Sequence, residues 1–325
     1  MIPSRNLAPF IHTEMTAPYI FLTHIAALLP CIIAGVIFYG ISALTLIVGS
    51  AVAFMLFDNA FGRMVRRDGI DRNYTDFSSI EAGVIYALML PPGTSLPIAL
   101  TGVLFGSFVV KQFFGGSGNN ILNPACTARL FVEMVFYTRM YYFKTPISSW
   151  FDVSTLIGRT ENVIPADDIS KLYIMELLTG NYAGYIGLTC SLLILLAGIY
   201  QAFKGTVRIY APVSYLVTLI VLYPFIGQYE GGLRSLAVFI MSSGALFIAV
   251  YVLGDYTTMP SRIWGGIIAG AICAVLTVIL RGRVSDMCSM LAPVMAINFL
   301  SFEIDFFTKT ISRRKTVRQR EVHIR

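Results

Sequence analysis

A series of apolar runs, most of them close to the length that crosses a bilayer, constrains this chain more than anything else in it. The runs are Ile20–Tyr39, Ile41–Phe57, Ala82–Leu90, Ile98–Phe113, Ala125–Tyr137, Tyr182–Tyr200, Ile209–Ile226, Ser235–Leu253, Ile263–Leu280 and Cys288–Phe307. A helix needs roughly 20 apolar residues to cross a hydrocarbon core of ~30 Å, and several of these runs are short or interrupted. They are continuously apolar and do not alternate with period two, which excludes a membrane β-barrel. Composition agrees, with 56% hydrophobic and only 13% charged residues and a mean hydropathy of +0.72, far from the range of a soluble domain. The expected fold is an all-α integral membrane protein of about ten transmembrane helices. Residues 1–16 are polar and lack the apolar stretch of a secretory leader, so no cleavable signal peptide is expected.

Lys and Arg are retained in cytoplasmic loops. The tail "KTISRRKTVRQREVHIR" is strongly basic, and so is "GRMVRRDGIDR" after the second run. When spans are counted back from the tail, Lys111, Arg129, Lys204, Arg208 and Arg262 fall on that same side. Both termini are therefore expected to be cytoplasmic, in the bacterial cytoplasmic (inner) membrane, with the long connection Thr138–Thr179 outside. The net charge of +6 is accounted for by inside positives and anionic lipid and calls for no nucleic acid. Cys31, Cys126, Cys190, Cys273 and Cys288 form no CxxC pattern, and His12, His24 and His323 are dispersed. No metal site, haem or iron–sulfur cluster is expected.

A faint internal echo divides the chain. "YALMLPPGTSLPIALTGVLFGSFVV" and "VYVLGDYTTMPSRIWGGIIAGAICAVL" each run from an apolar segment, through a polar turn with proline, into a Gly-spaced span. Each is followed by a polar link, "GGSGNNILNPA" or "RGRVSDMCSMLAP", and another apolar helix. The expected organisation is an N-terminal segment 1–19, a five-helix half 20–137, an extracytoplasmic loop 138–181, a second five-helix half 182–307 and a basic tail 308–325. Such repeats place a site between the halves, where broken helices leave backbone groups free at membrane depth. Gly116, Asn119, Asn120 and Asn123 belong to the first link, and Pro124 is expected to start the next helix. The asparagines serve either a buried ligand rich in carbonyls or the turn and cap itself. The pattern of a nucleotide phosphate loop is absent.

Carboxylates within or beside spans are costly and usually interior. Asp58, Glu81, Glu133, Asp255, Glu303 and Asp305 qualify, and Glu133 is deepest in its run. Glu81 and Asp255 occupy comparable places in the two halves. They would handle ions or protons, cap helix N-termini, or pair with Arg129 and Arg262.

Together "VVKQFFGGSGNNILNPACTAR", the upstream "LPP" at Leu90–Pro92 and the downstream "LLTGNYAGYIGLTCSLLILLAGIY" resemble the RnfD membrane component of Rnf complexes and its relative, the NqrB component of the sodium-pumping NADH:quinone reductase. The resemblance implies electron transfer at the membrane between reduced ferredoxin and NAD, coupled to Na⁺ or H⁺ movement, with other Rnf-type subunits as partners. It also implies flavin carriers. One is FMN, attached through its phosphate to a threonine in an outer-loop motif D-x-x-[ST]-x-[AS]-T. The loop here reads "WFDVSTLIGRTENVIPADD". Counting back from "LLTGNYAG" selects Thr160, with Ser154, Ile157 and Arg159 departing from the motif; aligning on Asp152 selects Thr155. Apart from the resemblance, the density of glycines and amides in "GGSGNNILNPA" leads to the expectation that this link lines a cavity between the halves, with a non-covalent flavin, FMN or riboflavin, beside Gly116, Asn119, Asn120 and Asn123. Two further readings stay open on the residues alone: a solute transporter or channel of urea-channel-like architecture, and a scaffold subunit without redox chemistry.

Overall fold

A computed structural model describes residues 16–65, 77–113, 120–141, 143, 146, 174–223 and 232–323. Among the described residues the chain is all-helical, with no strand. Three helices are long and apolar enough to cross a membrane unaided, Ala17–Met64, Ile263–Leu280 and Asp286–Lys309. The pair Ser235–Ser242 and Ala245–Val252, bent by 58°, makes a fourth if taken as one span. Phe77–Leu88, Leu96–Gln112, Ser191–Lys204 and Tyr210–Leu222 are apolar but shorter.

The first element, α1 (Ala17–Val65), is two helices joined at Gly40, whose φ of 68° and ψ of −148° only glycine adopts readily. Contacts show that the chain reverses there. If α1 were straight, His24 and Asp58 would stand about 50 Å apart. Instead His24 bonds Glu81 and Asp58 bonds Ser79, two positions apart on one helix. The boundary between the first two apolar runs thus falls where the hydropathy pattern places it. That helix, α2 (Phe77–Leu88), is buried along most of its length. At 12 residues it rises only about 18 Å. α3 (Leu96–Phe105) follows and continues as a π-helix through Gly106–Gln112. α4 (Pro124–Val135) leads into a 3₁₀ turn at Tyr137–Tyr141.

In the second part a short α5 (Ile174–Thr179) precedes α6 (Ser191–Lys204) and α7 (Tyr210–Leu222). α8 (Gly232–Ser242) breaks at Gly244, φ 89°, before α9 (Ala245–Phe247) and a π turn at Ile248–Val252. α10 (Ile263–Leu280) and α11 (Asp286–His323) complete the bundle. α11 runs without interruption from the last apolar run into the basic tail.

Polarity is distributed as lipid requires. Leu29, Ile33 and Ile37, then Leu44, Val48, Val52 and Leu56, form exposed apolar stripes on α1, while Asp58, Glu81, Lys111, Arg129 and Glu133 are buried. Glycines set the closest helix approaches. A Cβ on Gly83 would lie 2.6 Å from the Cα of Ala51, and one on Gly270 would collide with the carbonyl oxygen of Ala211.

Two expectations need correcting. The sixth helix starts at Ser191, not at Tyr182. Residues 182–190 are irregular because they serve the end of α2: Ile186 N–H donates to Leu90 O at 3.1 Å and Gly187 N–H to Leu88 O at 2.9 Å. Carbonyls left open at a helix end inside the membrane are satisfied in this way. Lys111 and Arg129, counted above as loop charges, are 1% and 0% exposed and lie within helices. The sidedness argument therefore rests on the remaining basic loops.

Candidate functional site

One end of the bundle gathers a buried polar layer from six places in the chain. Its first group centres on Asp58. Lys111 Nζ lies 2.9 Å from Asp58 Oδ2 and donates to Ser78 Oγ at 2.8 Å and Ser79 Oγ at 2.5 Å. Ser79 Oγ donates in turn to Asp58 Oδ2 at 2.5 Å, and Gln112 Nε2 donates to Asp58 Oδ1. The π-helical turn supplies this geometry. Its wider register lets Lys111 and Gln112, adjacent in sequence, both turn onto one carboxylate, and such turns recur at functional positions.

The second group is His24 with Glu81. Their Nδ1 and Oε1 atoms are 2.7 Å apart, and His24 Nε2 lies 2.9 Å from the carbonyl oxygen of Thr206, just past the end of α6. Both side chains are buried. Asp255, after the broken α8–α9 span, accepts from Thr257 N–H at 3.0 Å and from the hydroxyls of Thr257 and Thr258 at 2.7 and 3.0 Å. Between these groups lies a cavity of about 40 Å³ walled by Glu81, Lys111, Asn120, Asn123, Tyr251 and Asp255. Phe21, Ala82, Ile85 and Pro124 line it beside these polar groups, and its volume suits about two or three waters.

A third buried pair sits further along α4. Arg129 Nη1 meets Glu133 Oε2 at 2.5 Å, and Arg129 Nε donates to Met89 O at 2.9 Å, beyond the end of α2. The guanidinium also lies 5.7 Å from the centroid of the Tyr185 ring.

The expected residues distribute unevenly over this framework. Asn123 is the N-cap of α4, its Oδ1 accepting from Ala125 N–H and Cys126 N–H at 3.1 and 3.2 Å, with Pro124 in the first turn. The cap therefore uses its carbonyl. Asn120 borders the cavity, and its buried Oδ1 has no hydrogen-bond partner among the described residues. Gly116, Asn119, Thr155 and Thr160 lie outside the described residues. Glu81 and Asp255 do share a site, but Glu81 pairs with His24 while Arg129 pairs with Glu133, a carboxylate one turn away on the same helix. Glu133, expected to be the deepest carboxylate, is 1% exposed. Sequence reasoning missed His24, set aside as a dispersed histidine, and Lys111. A titratable residue inside an apolar run was the available signal for both. The five cysteines are free, and no group of three or more metal-ligating side chains occurs among the described residues.

Comparison with known proteins gives a consistent result. The profile of the NQR2, RnfD, RnfE family matches residues 5–313. The chain is similar to the D component of the Na⁺-translocating ferredoxin:NAD⁺ oxidoreductase complex of Acetobacterium woodii, at 28% identity over 93% of this chain and 92% of that protein. It is 25% identical to the D component of the proton-translocating ferredoxin:NAD⁺ oxidoreductase complex of Clostridium ljungdahlii over 94% of both chains. The corresponding component of the ion-translocating oxidoreductase complex of Salmonella arizonae is 24% identical over 93% of this chain and 96% of its own.

Proposed function

The chain belongs to the NQR2, RnfD, RnfE family, and from that premise we propose that it serves as the RnfD-type membrane subunit of an ion-translocating ferredoxin:NAD⁺ oxidoreductase complex, working with the other subunits of that complex. The observation that carries this is the end-to-end match with the D components of two such complexes, one named for Na⁺ and one for protons. The buried ionisable layer, assembled from broken helices, is consistent with a subunit through which ions pass.

The finer assignments belong to the same proposal. The chain crosses the bacterial inner membrane ten times, in two five-helix halves, with both termini cytoplasmic. Lys204, Arg208, Arg262 and the tail support that orientation. Repetition supports the halves: α3 and its π-helical extension carry Lys111 near their end and α10 is followed by Arg281, and each leads through a link to a helix whose first turn donates a backbone N–H to a side-chain oxygen, of Asn123 or Ser285. FMN is carried on the outer loop, at Thr160 rather than Thr155.

A tagged copy purified from its own membranes tests the assignment. It should bring with it a multisubunit assembly that reduces NAD⁺ with reduced ferredoxin. A chain that purifies alone, with all of that activity left in the unbound fraction, would overturn it.

A further inference from the structure

The contacts of His24 fix how many protons it shares. The carbonyl oxygen of Thr206 can only accept, so His24 Nε2, 2.9 Å away, carries a hydrogen and donates it. His24 Nδ1 and Glu81 Oε1 then face each other at 2.7 Å, a separation that requires one hydrogen between them. If Glu81 is ionised, that hydrogen is on Nδ1 and the ring is an imidazolium. If the ring is neutral, its Nδ1 is an acceptor and Glu81 is the acid. Either way the pair holds one proton beyond its fully deprotonated state. Without that proton, two lone pairs would oppose each other across the same short gap, and the contact would not persist.

The surroundings give this proton a route. Glu81 lines the cavity, which carries several polar side chains and is large enough for water, whereas His24 is walled in from the far side by the turn after α6. The charged groups facing Glu81 are Asp255, across the cavity, and Lys111, itself paired with Asp58. From the π turn at Ile248–Val252, Tyr251 borders the cavity and donates its phenolic hydrogen to Ala27 O at 2.8 Å. The pair also spans three elements, since His24 is on α1, Glu81 on α2 and Thr206 behind α6.

We propose that His24 and Glu81 form a one-proton binding site, loaded and emptied through the cavity. The part this site plays in ion movement rests on the function proposed above; the site itself does not. It differs from a static ion pair in one respect. A static pair keeps its proton throughout the working range of pH, whereas this one titrates, and imidazole and carboxylate change together because they share the hydrogen.

Infrared difference spectra of the purified intact complex, carrying isotope-labelled histidine and recorded in light and heavy water from about pH 5 to about pH 9, cover the range in which such groups titrate. The expected result is an imidazole signal and a carboxyl signal with one common midpoint. In Glu81→Gln the carboxyl signal disappears and the imidazole midpoint moves by about 1 pH unit or more, the scale of coupling in a shared-proton pair. In His24→Gln the imidazole signal disappears and the carboxyl midpoint moves. Unchanged midpoints in either variant would overturn the proposal. If neither variant assembles, the unmodified complex decides, because the lack of any imidazole and carboxyl signals with a common midpoint overturns it as well. These spectra need no ferredoxin, NAD⁺ or ion gradient. A negative result therefore leaves the assigned function standing, and failure of that function in vesicles leaves the proton site standing.

Discussion

Replacing Glu133 by leucine should be among the most damaging single changes in the chain, and the reason lies in what arginine cannot do. Arg129 is 0% exposed and Glu133 1% exposed, and their closest atoms are 2.5 Å apart. In Glu133→Leu the guanidinium stays buried, and it cannot shed its charge by losing a proton. Breaking a buried pair in this way costs about 3–5 kcal/mol. Arg129→Met is expected to cost less. The Glu133 carboxyl left behind can take up a proton, so the main loss is the donor to Met89 O, at about 1–3 kcal/mol for an unsatisfied buried carbonyl. The double variant removes both charges and keeps only that carbonyl cost. It should therefore be more stable than Glu133→Leu alone, with a coupling of about 3–5 kcal/mol, the whole cost of Glu133→Leu. Unfolding of the solubilised protein by titrated denaturing detergent, run on all four members of the cycle, gives the numbers. Additive single effects, or an Arg129→Met variant less stable than Glu133→Leu, would refute the reasoning.

Other outcomes follow from particular contacts. Gly83→Ala drives a Cβ to within 2.6 Å of backbone at Ala51 and 2.8 Å of backbone at Ser50, whereas Gly62→Ala meets only the flexible end of Gln112 at 3.5 Å. The first should lower stability by about 1–3 kcal/mol and the second should change it little, as thermal unfolding of the two proteins side by side will show. Asn123→Ala removes the cap of α4 and should cost about 1 kcal/mol, most of it recovered in Asn123→Ser; equal losses in both would count against the cap. In a host with the flavin transferase, in-gel fluorescence of the denatured band should be lost in Thr160→Val and kept in Thr155→Val. The reverse pattern moves the attachment to Thr155, and a dark unmodified band contradicts covalent FMN.

Local chemistry made part of this structure legible. Gly40, a lone glycine between two apolar runs, marks a real reversal, and the Asn123-Pro124 pair announces a capped helix start. Arg129 and Glu133 stand four residues apart, the spacing of a pair on one helix face. What stayed hidden depends on distant partners. Residues 182–190 read as helix because they are apolar, yet their amides serve carbonyls at Leu88 and Leu90, far earlier in the chain. His24 and Glu81 are 57 positions apart, and neither residue's neighbours in sequence reveal the other. Lys111 looked like a loop charge because it stands beside a glycine-rich link, and the π turn that carries it inward leaves no periodic signature.

Inverted membrane vesicles from cells lacking this chain, compared with vesicles from the same cells supplied with it, put the central assignment to its most direct test. Reduced ferredoxin is added, and NAD⁺ reduction is followed together with uptake of Na⁺ or protons into the vesicles. Vesicles without the chain should show neither activity, and both should return with it. Vesicles that lack the chain and still couple NAD⁺ reduction to ion uptake would contradict its assignment to that complex.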